Sequence, residues 1–219
     1  MGNYLKPTEF IESEDPEISK LAREFIKGER ANRKRTNRLF YFVRDRISFR
    51  PVYFNYLPKE EFKPKVTLKR GYGFCIMKTI LLISFLRSLR IPSRFVLAEI
   101  RHHQLPDRVK EGLKSNVTPH GFAEVFLGKK WIKLDPTFDL SYCEAMNYIP
   151  TEFDGKGDAL LNPLDKQGRN LIDYLDVIGR YEDFPYDFYL GYLRKKYGII
   201  DKLFFSDVNK GETFYKGWS

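Results

Sequence analysis

The chain has 219 residues, 42% of them hydrophobic and 16% aromatic, with a formal net charge of +9, 2 cysteines and 3 histidines. That size suits a single domain over residues 1–219, with a core of about 15–140 and an aromatic-rich C-terminal extension of about 141–219. Two cysteines cannot build a disulfide framework, and no CxxC pair supplies a usual zinc spacing. No apolar N-terminal segment reads as a secretory signal, and no run of about 18 uncharged apolar residues reads as a membrane span, so a cytoplasmic protein is expected.

In chain order, Asp15-Pro16-Glu17 reads as an N-cap, a first helical residue and a first-turn acid. The helix it opens carries Ile18, Leu21, Ala22, Phe25 and Ile26 on one face and stops near Gly28. A second helix runs from about Ala31 to Ile47, with Leu39, Phe42, Val43 and Ile47 inward. Its outer side carries Arg33, Lys34, Arg35 and Arg38, just after Arg30. This cluster reads as a solvated helix face. Contact with nucleic acid or an acidic partner is the alternative reading.

Pro51, Pro58 and Pro64 make residues 50–70 a loop with extended pieces. Phe74 to Leu89 is apolar almost all round and therefore reads as a buried helix, ended by Arg90-Ile91-Pro92. Phe95 to Ile100 is a strand, and residues 101–119 form a polar loop. His120 to Leu127 and Trp131 to Asp135 form a hairpin about Gly128-Lys129, where Gly in the first turn position predicts type II′. From Cys143 onward the pattern predicts turns and short helical pieces rich in Tyr and Phe.

Cys75 stands at the start of the buried helix. A helix N-terminus favours a thiolate through its unpaired N–H groups and dipole, and the Cys75 N–H can serve as an oxyanion donor. Gly71 and Gly73 allow a sharp turn and a close approach to a ligand. Read without these neighbours, Cys75 is an ordinary small buried hydrophobe. In the hairpin, Glu124 should face Lys133 and Asp135 should face Phe122. His120 then lies diagonal to Asp135, with backbones about 7–8 Å apart. The other reading makes Asp135 a cap for the Pro136-Thr137 turn. His102 and His103 are neighbours in the predicted polar loop, so they point apart and make poor joint ligands. Cys143 reads as a buried hydrophobe, with a redox-active thiol as the alternative.

The segment GYGFCIMKTILLISFLRSLRIPSR followed by HGFAEVFLGKKWIKLDPTFD resembles the core of the transglutaminase-like superfamily of papain-fold cysteine enzymes. The shared pattern is a Cys opening a helix, a helix end at Leu86 to Arg94, His120 to Val125 on one strand and Trp131 to Thr137 on the next. The tail, including EFDGKGDALLNPLDKQGRNLIDYL, resembles small bacterial and archaeal members without a defined activity, so the likeness covers about residues 15–190. Two departures stand out. Ile76 and Met77 follow the Cys where many members have Gly and an acid, and Arg90 stands where a Gly usually ends the helix.

The resemblance implies an α+β fold, with a buried Cys-bearing helix packed on an antiparallel sheet that carries His and Asp. It implies Cys75 as nucleophile, His120 as base and Asp135 as orienter of a protease, amidase or transamidase. No cofactor or metal is implied, although some distant relatives use calcium. Tyr53, Asn55, Tyr56 and Phe74 are the candidates for oxyanion or substrate contacts. The expected substrate is a peptide or an amide-containing small molecule, with no membrane partner. The alternatives are an inactive peptide-binding module of the same fold and a nucleic-acid binder using Arg33 to Arg38.

Overall fold

Residues 2–51, 57–105 and 107–197 are described by a computed structural model. Helix α1 (Pro16–Phe25) begins as its sequence requires: the Asp15 carboxylate accepts the N–H groups of Glu17 and Ile18 at 2.9 and 3.2 Å. Ile18 and Ala22 are buried. In α2 (Asn32–Arg46), Leu39, Phe40 and Val43 are buried. Phe42 is only partly buried because it stacks on Phe25 in α1, with ring centroids 3.8 Å apart. Two members of the basic cluster hold the α1–α2 turn, since Arg35 donates to Glu29 O and Arg38 to Lys27 O.

Strand β1 (Ser48–Phe49) pairs in parallel with β2 (Tyr72–Gly73), and α3 (Pro64–Arg70) lies between them in sequence. Gly71 ends α3 in the left-handed conformation, at φ 74°. Gly73 lies against the next helix, where an added Cβ would sit 3.0 Å from the Met77 Cβ. These glycines therefore serve a helix cap and a close helix approach. Helix α4 (Cys75–Ser88) is buried from Cys75 through Arg87, as its unbroken apolarity predicts. Arg90 takes φ 60°, and the Ile91 N–H closes the last turn on Leu86 O at 3.0 Å.

The remaining elements are β3 (Ser93–His102), α5 (Asp107–Leu113), β4 (Val117–Leu127), β5 (Lys130–Leu134), α6 (Leu140–Ala145), β6 (Ile172–Tyr181) and α7 (Tyr186–Tyr197). Four of these strands form an antiparallel sheet in the order β5-β4-β3-β6. The stretch read as a polar loop thus carries a helix and the ends of two strands. The C-terminal stretch read as turns and helical pieces contributes β6. That strand is half exposed, with Leu175 and Val177 facing out, so it lacks the apolar alternation that marks a strand in sequence.

The hairpin register matches the expected one, with Leu127 opposite Lys130, Phe126 opposite Trp131 and Glu124 opposite Lys133. Gly128 and Lys129 both have positive φ, 58° and 69°, which defines type I′ rather than II′. A type I′ turn matches the twist of the strands, and Lys129 accepts the left-handed conformation to make it. Asp135 leaves the ladder: its N–H bonds to Ala159 O at 2.8 Å, so it does not pair with Phe122.

One sheet face packs on α4 through Phe95, Leu97, Ala123, Val125, Ile132 and Leu134. The other carries Val96, Ala98 and Phe122 beneath Leu160 and Tyr174, and Ile100 among Phe138, Tyr142 and Leu161. Among the described residues no helix is long and apolar enough to cross a membrane. The helix meets the sheet most closely at Gly121. Thr79 Oγ1 donates to Gly121 O at 3.0 Å, and an added Cβ would lie 2.7 Å from Phe95 Cζ and 3.0 Å from Ile76 Cγ1. Gly121→Ala is therefore expected to cost about 1–3 kcal/mol by overpacking. Chemical denaturation of wild type and variant measures it, and an unchanged midpoint would contradict this account of the contact.

Candidate active site

Cys75 is the first residue of α4, reached through Phe74 in extended backbone at φ −101° and ψ −178°. The N–H groups of a first helical turn have no partner within the helix, so they face whatever lies before Cys75. The same turn rests on Gly121, the neighbour of His120. Thus the contact that seats the helix also brings Cys75 beside His120.

His120 Nε2 meets Asp135 Oδ2 at 2.5 Å, and both side chains are buried. This leaves Nδ1 as the ring nitrogen available to Cys75, which lines the same cleft. Asp135 is fully buried, and its two oxygens do different work. Oδ1 accepts the Thr137 N–H at 3.1 Å, which is the turn-capping role. Oδ2 takes His120 together with the Tyr174 hydroxyl, which donates at 2.5 Å. The Tyr174 oxygen in turn accepts the Leu161 N–H at 3.1 Å. Both sequence readings of Asp135 therefore hold, one for each oxygen.

Burial disfavours the charged form of each partner, yet the pair overcomes it. The Asp135 charge and its hydrogen bond hold the His120 imidazole well above its usual range. The imidazolium and the bonds from His120, Thr137 and Tyr174 hold Asp135 below the usual carboxylate range. A depressed carboxyl stabilises the fold above its unfolded pKa and loses that contribution on acidification. A raised imidazole stabilises below its unfolded pKa and loses it as pH climbs through the elevated value. The two groups therefore favour an imidazolium–carboxylate pair at neutral pH.

Lys78, one turn into α4, is fully buried and donates to Arg44 O at 3.0 Å and to Thr137 O at 2.8 Å. It ties the end of α2 to the segment just after Asp135. Burial pulls its pKa down to about 7, against the pull of Asp139, Asp45 and Asp135.

Cys75 and His120 lie in the wall of one cleft. Phe49, Phe74, Ile100, Phe138, Tyr142, Leu161 and Tyr189 supply most of its apolar lining. Phe74 thus reaches the cleft, though with a ring that has no polar atom. Tyr53, Asn55 and Tyr56 lie outside the described residues. The two adjacent histidines do point apart. His103 bonds Asp173 at 2.8 Å, whereas His102 ends β3 in the cleft rather than in a solvated loop. Cys143 is buried, and desolvation pushes its thiol up to about 12, which fits the small-hydrophobe reading. Among the described residues no group of three His, Cys, Asp or Glu side chains gathers to hold a metal.

Sequence reasoning missed Tyr174, Tyr189 and Lys78. The two tyrosines lie on β6 and α7, far along the chain, and no local pattern links them to Asp135 or Cys75. Lys78 did leave a signal, as a cation inside an otherwise apolar helix.

Two measurements test this arrangement. Tyr174→Phe removes one of the donors to a buried carboxylate and unpairs the Leu161 N–H, so a loss of about 1–3 kcal/mol is expected in chemical denaturation. For Lys78 the unfolded chain holds its proton up to 10.5 while the folded one releases it near 7. From this group alone stability should therefore gain up to about 1.4 kcal/mol per pH unit across that window, against the loss that the raised His120 imidazole brings over much of the same range. Lys78→Met should remove that gain and make the slope more negative than in wild type; an identical slope in both proteins would rule out this contribution of Lys78.

The family model described as the transglutaminase-like superfamily matches residues 19–136, more than half of the 219-residue chain. No curated protein matches. Among solved structures, a candidate cysteine protease from Cytophaga hutchinsonii is similar at 18% identity and a TM-score of 0.48, over 81% of this chain and 53% of that one. A candidate protease from Parabacteroides distasonis is similar at 16% identity and a TM-score of 0.39, over 54% of this chain and 22% of that one. The chain thus spans about half the length of the first and about a fifth of the second. By its match to the family core, this chain belongs to the transglutaminase-like superfamily.

Proposed function

We propose that the protein is a cysteine-nucleophile acyl-transfer enzyme acting on amide or ester bonds of a peptide or small amide. The observation that supports this reading is the buried His120–Asp135 pair beside a cleft that Cys75, at a helix start, also lines.

In this mechanism the Cys75 thiolate attacks the substrate carbonyl carbon and a C–S bond forms. The oxyanion is stabilised by N–H groups at the start of α4, that of Cys75 among them. The His120 imidazolium gives its proton to the leaving amine or alcohol as that bond breaks, which leaves a thioester. His120, now neutral, takes a proton from the acceptor as it attacks the thioester, and the thiolate departs. Asp135 stays ionised throughout, keeps the ring oriented and stabilises its charged form. Water as acceptor gives hydrolysis, and a primary amine gives transamidation. Water is favoured where no amine competes, because it is always present.

The test is alkylation by iodoacetamide with mapping of the modified residue, followed by turnover on a panel of fluorogenic amides and esters with and without an added amine. Labelling should fall on Cys75, and Cys75→Ala should lower turnover by about a thousandfold or more. A Cys75→Ala protein that kept wild-type turnover would remove Cys75 as nucleophile. A protein that binds the amides but never turns them over would be a binding module instead.

A further inference from the structure

His102 is a polar side chain of this cleft that the proposed mechanism does not use. It ends β3 on the same sheet face as His120. Ala98 is the cross-strand partner of His120, and side chains of Ala98, Ile100 and His102 fall on one side of the strand. Four residues of strand separate the two positions, so their backbones stand on the order of 13 Å apart along the cleft. Ile100 and Thr118 line the cleft between them.

The state of the His102 ring follows from its surroundings. Its Nδ1 accepts the backbone N–H of Gln104 at 3.2 Å. Burial, with repulsion from His103 and His120, pulls its pKa down to about 3, so the ring is neutral at pH 7. A neutral ring whose Nδ1 accepts a hydrogen bond carries its proton on Nε2. Among the described residues nothing accepts from that Nε2–H. A ligand that brings an acceptor into the cleft can take that N–H in place of solvent. No Asp, Glu, Lys or Arg is among the described residues that line the cleft. Among the described residues, its wall therefore offers a charged substrate arm no partner beyond the His120–Asp135 pair itself.

We propose that the cleft takes an uncharged, apolar, extended amide, and that His102 Nε2–H holds a carbonyl of that substrate on the order of 10 Å from the bond attacked. His102 is thus a specificity-determining residue at the far end of the cleft. The assignment rests on Cys75 being the nucleophile, because the cleft is a substrate site only on that reading.

The test uses epoxides that alkylate Cys75 and carry an apolar arm on each side. One compound has a carbonyl about 10 Å out on each arm, and its twin has methylene at those positions. Two further compounds end their arms in a carboxylate or an ammonium. Rates of Cys75 modification are read by mass spectrometry and divided by the iodoacetamide rate of the same protein. The carbonyl compound should react about tenfold faster than its methylene twin, and both charged compounds should be slower still. In His102→Phe the carbonyl advantage should fall to near one, and in His102→Gln, which keeps a donor, part of it should return. If the twins react alike in wild type, or the advantage survives in His102→Phe, the assignment of His102 is wrong. If the charged compounds react as fast as the neutral one, the substrate class is wrong. Failure of iodoacetamide to modify Cys75 would instead overturn the nucleophile reading, and this proposal with it.

Discussion

A carboxylate with no exposure to solvent constrains everything around it. Asp135 has lost its water, so hydrogen-bond donors must replace that water or the ionised form cannot persist. The replacements come from three parts of the chain: His120 on β4, Thr137 in the turn just after Asp135, and Tyr174 on β6. Each donor fixes the position of the element that carries it. The sheet edge, the turn and the C-terminal strand are thereby held around a single group. The same bonds set the protonation of the site, since an ionised Asp135 is what keeps the His120 imidazole charged.

The helix bearing Cys75 meets this arrangement from the other side of the sheet. Its first turn comes within reach of His120 because residue 121 has no side chain and Thr79 bonds the Gly121 carbonyl. Lys78 adds a polar tie between α4 and the segment that follows Asp135. A fully buried cation is an expensive choice for such a tie, since burial drives it toward neutrality near pH 7. It nevertheless satisfies two carbonyls that α4 would otherwise cover, those of Arg44 and Thr137. The packing of α4 and the geometry of the site are therefore one problem, solved by a glycine and a lysine on adjoining surfaces.

Some of the positive charge on α2 has a structural use. Arg35 and Arg38 are occupied by the carbonyls of the turn between α1 and α2, and Arg44 is buried against Asp45, Glu152 and Thr151 O. Much of the positive charge on α2 is thus structural. The aromatic residues of the C-terminal stretch are structural in a different way. Phe138, Tyr142, Tyr148 and Leu161 cover the sheet face opposite α4, and some of them form the cleft wall as well.

Local physics was legible in the sequence. The Asp15 cap, the buried helix from Cys75 and the Glu124–Lys133 register follow from neighbours a few residues apart, and no distant contact is needed to choose among alternatives. The succession of Cys75, His120 and Asp135 was legible too, because each residue sits at a characteristic place in its own element. Only the tertiary structure decided what surrounds them. Tyr174 reaches Asp135 from an exposed edge strand whose residues carry no alternation, and Lys78 bonds carbonyls of segments remote in sequence. His102 became part of the cleft because pairing extended β3 to its position. Such contacts depend on how sheet faces are covered and which backbone groups are left without partners. Those conditions exist only once the chain has closed on itself.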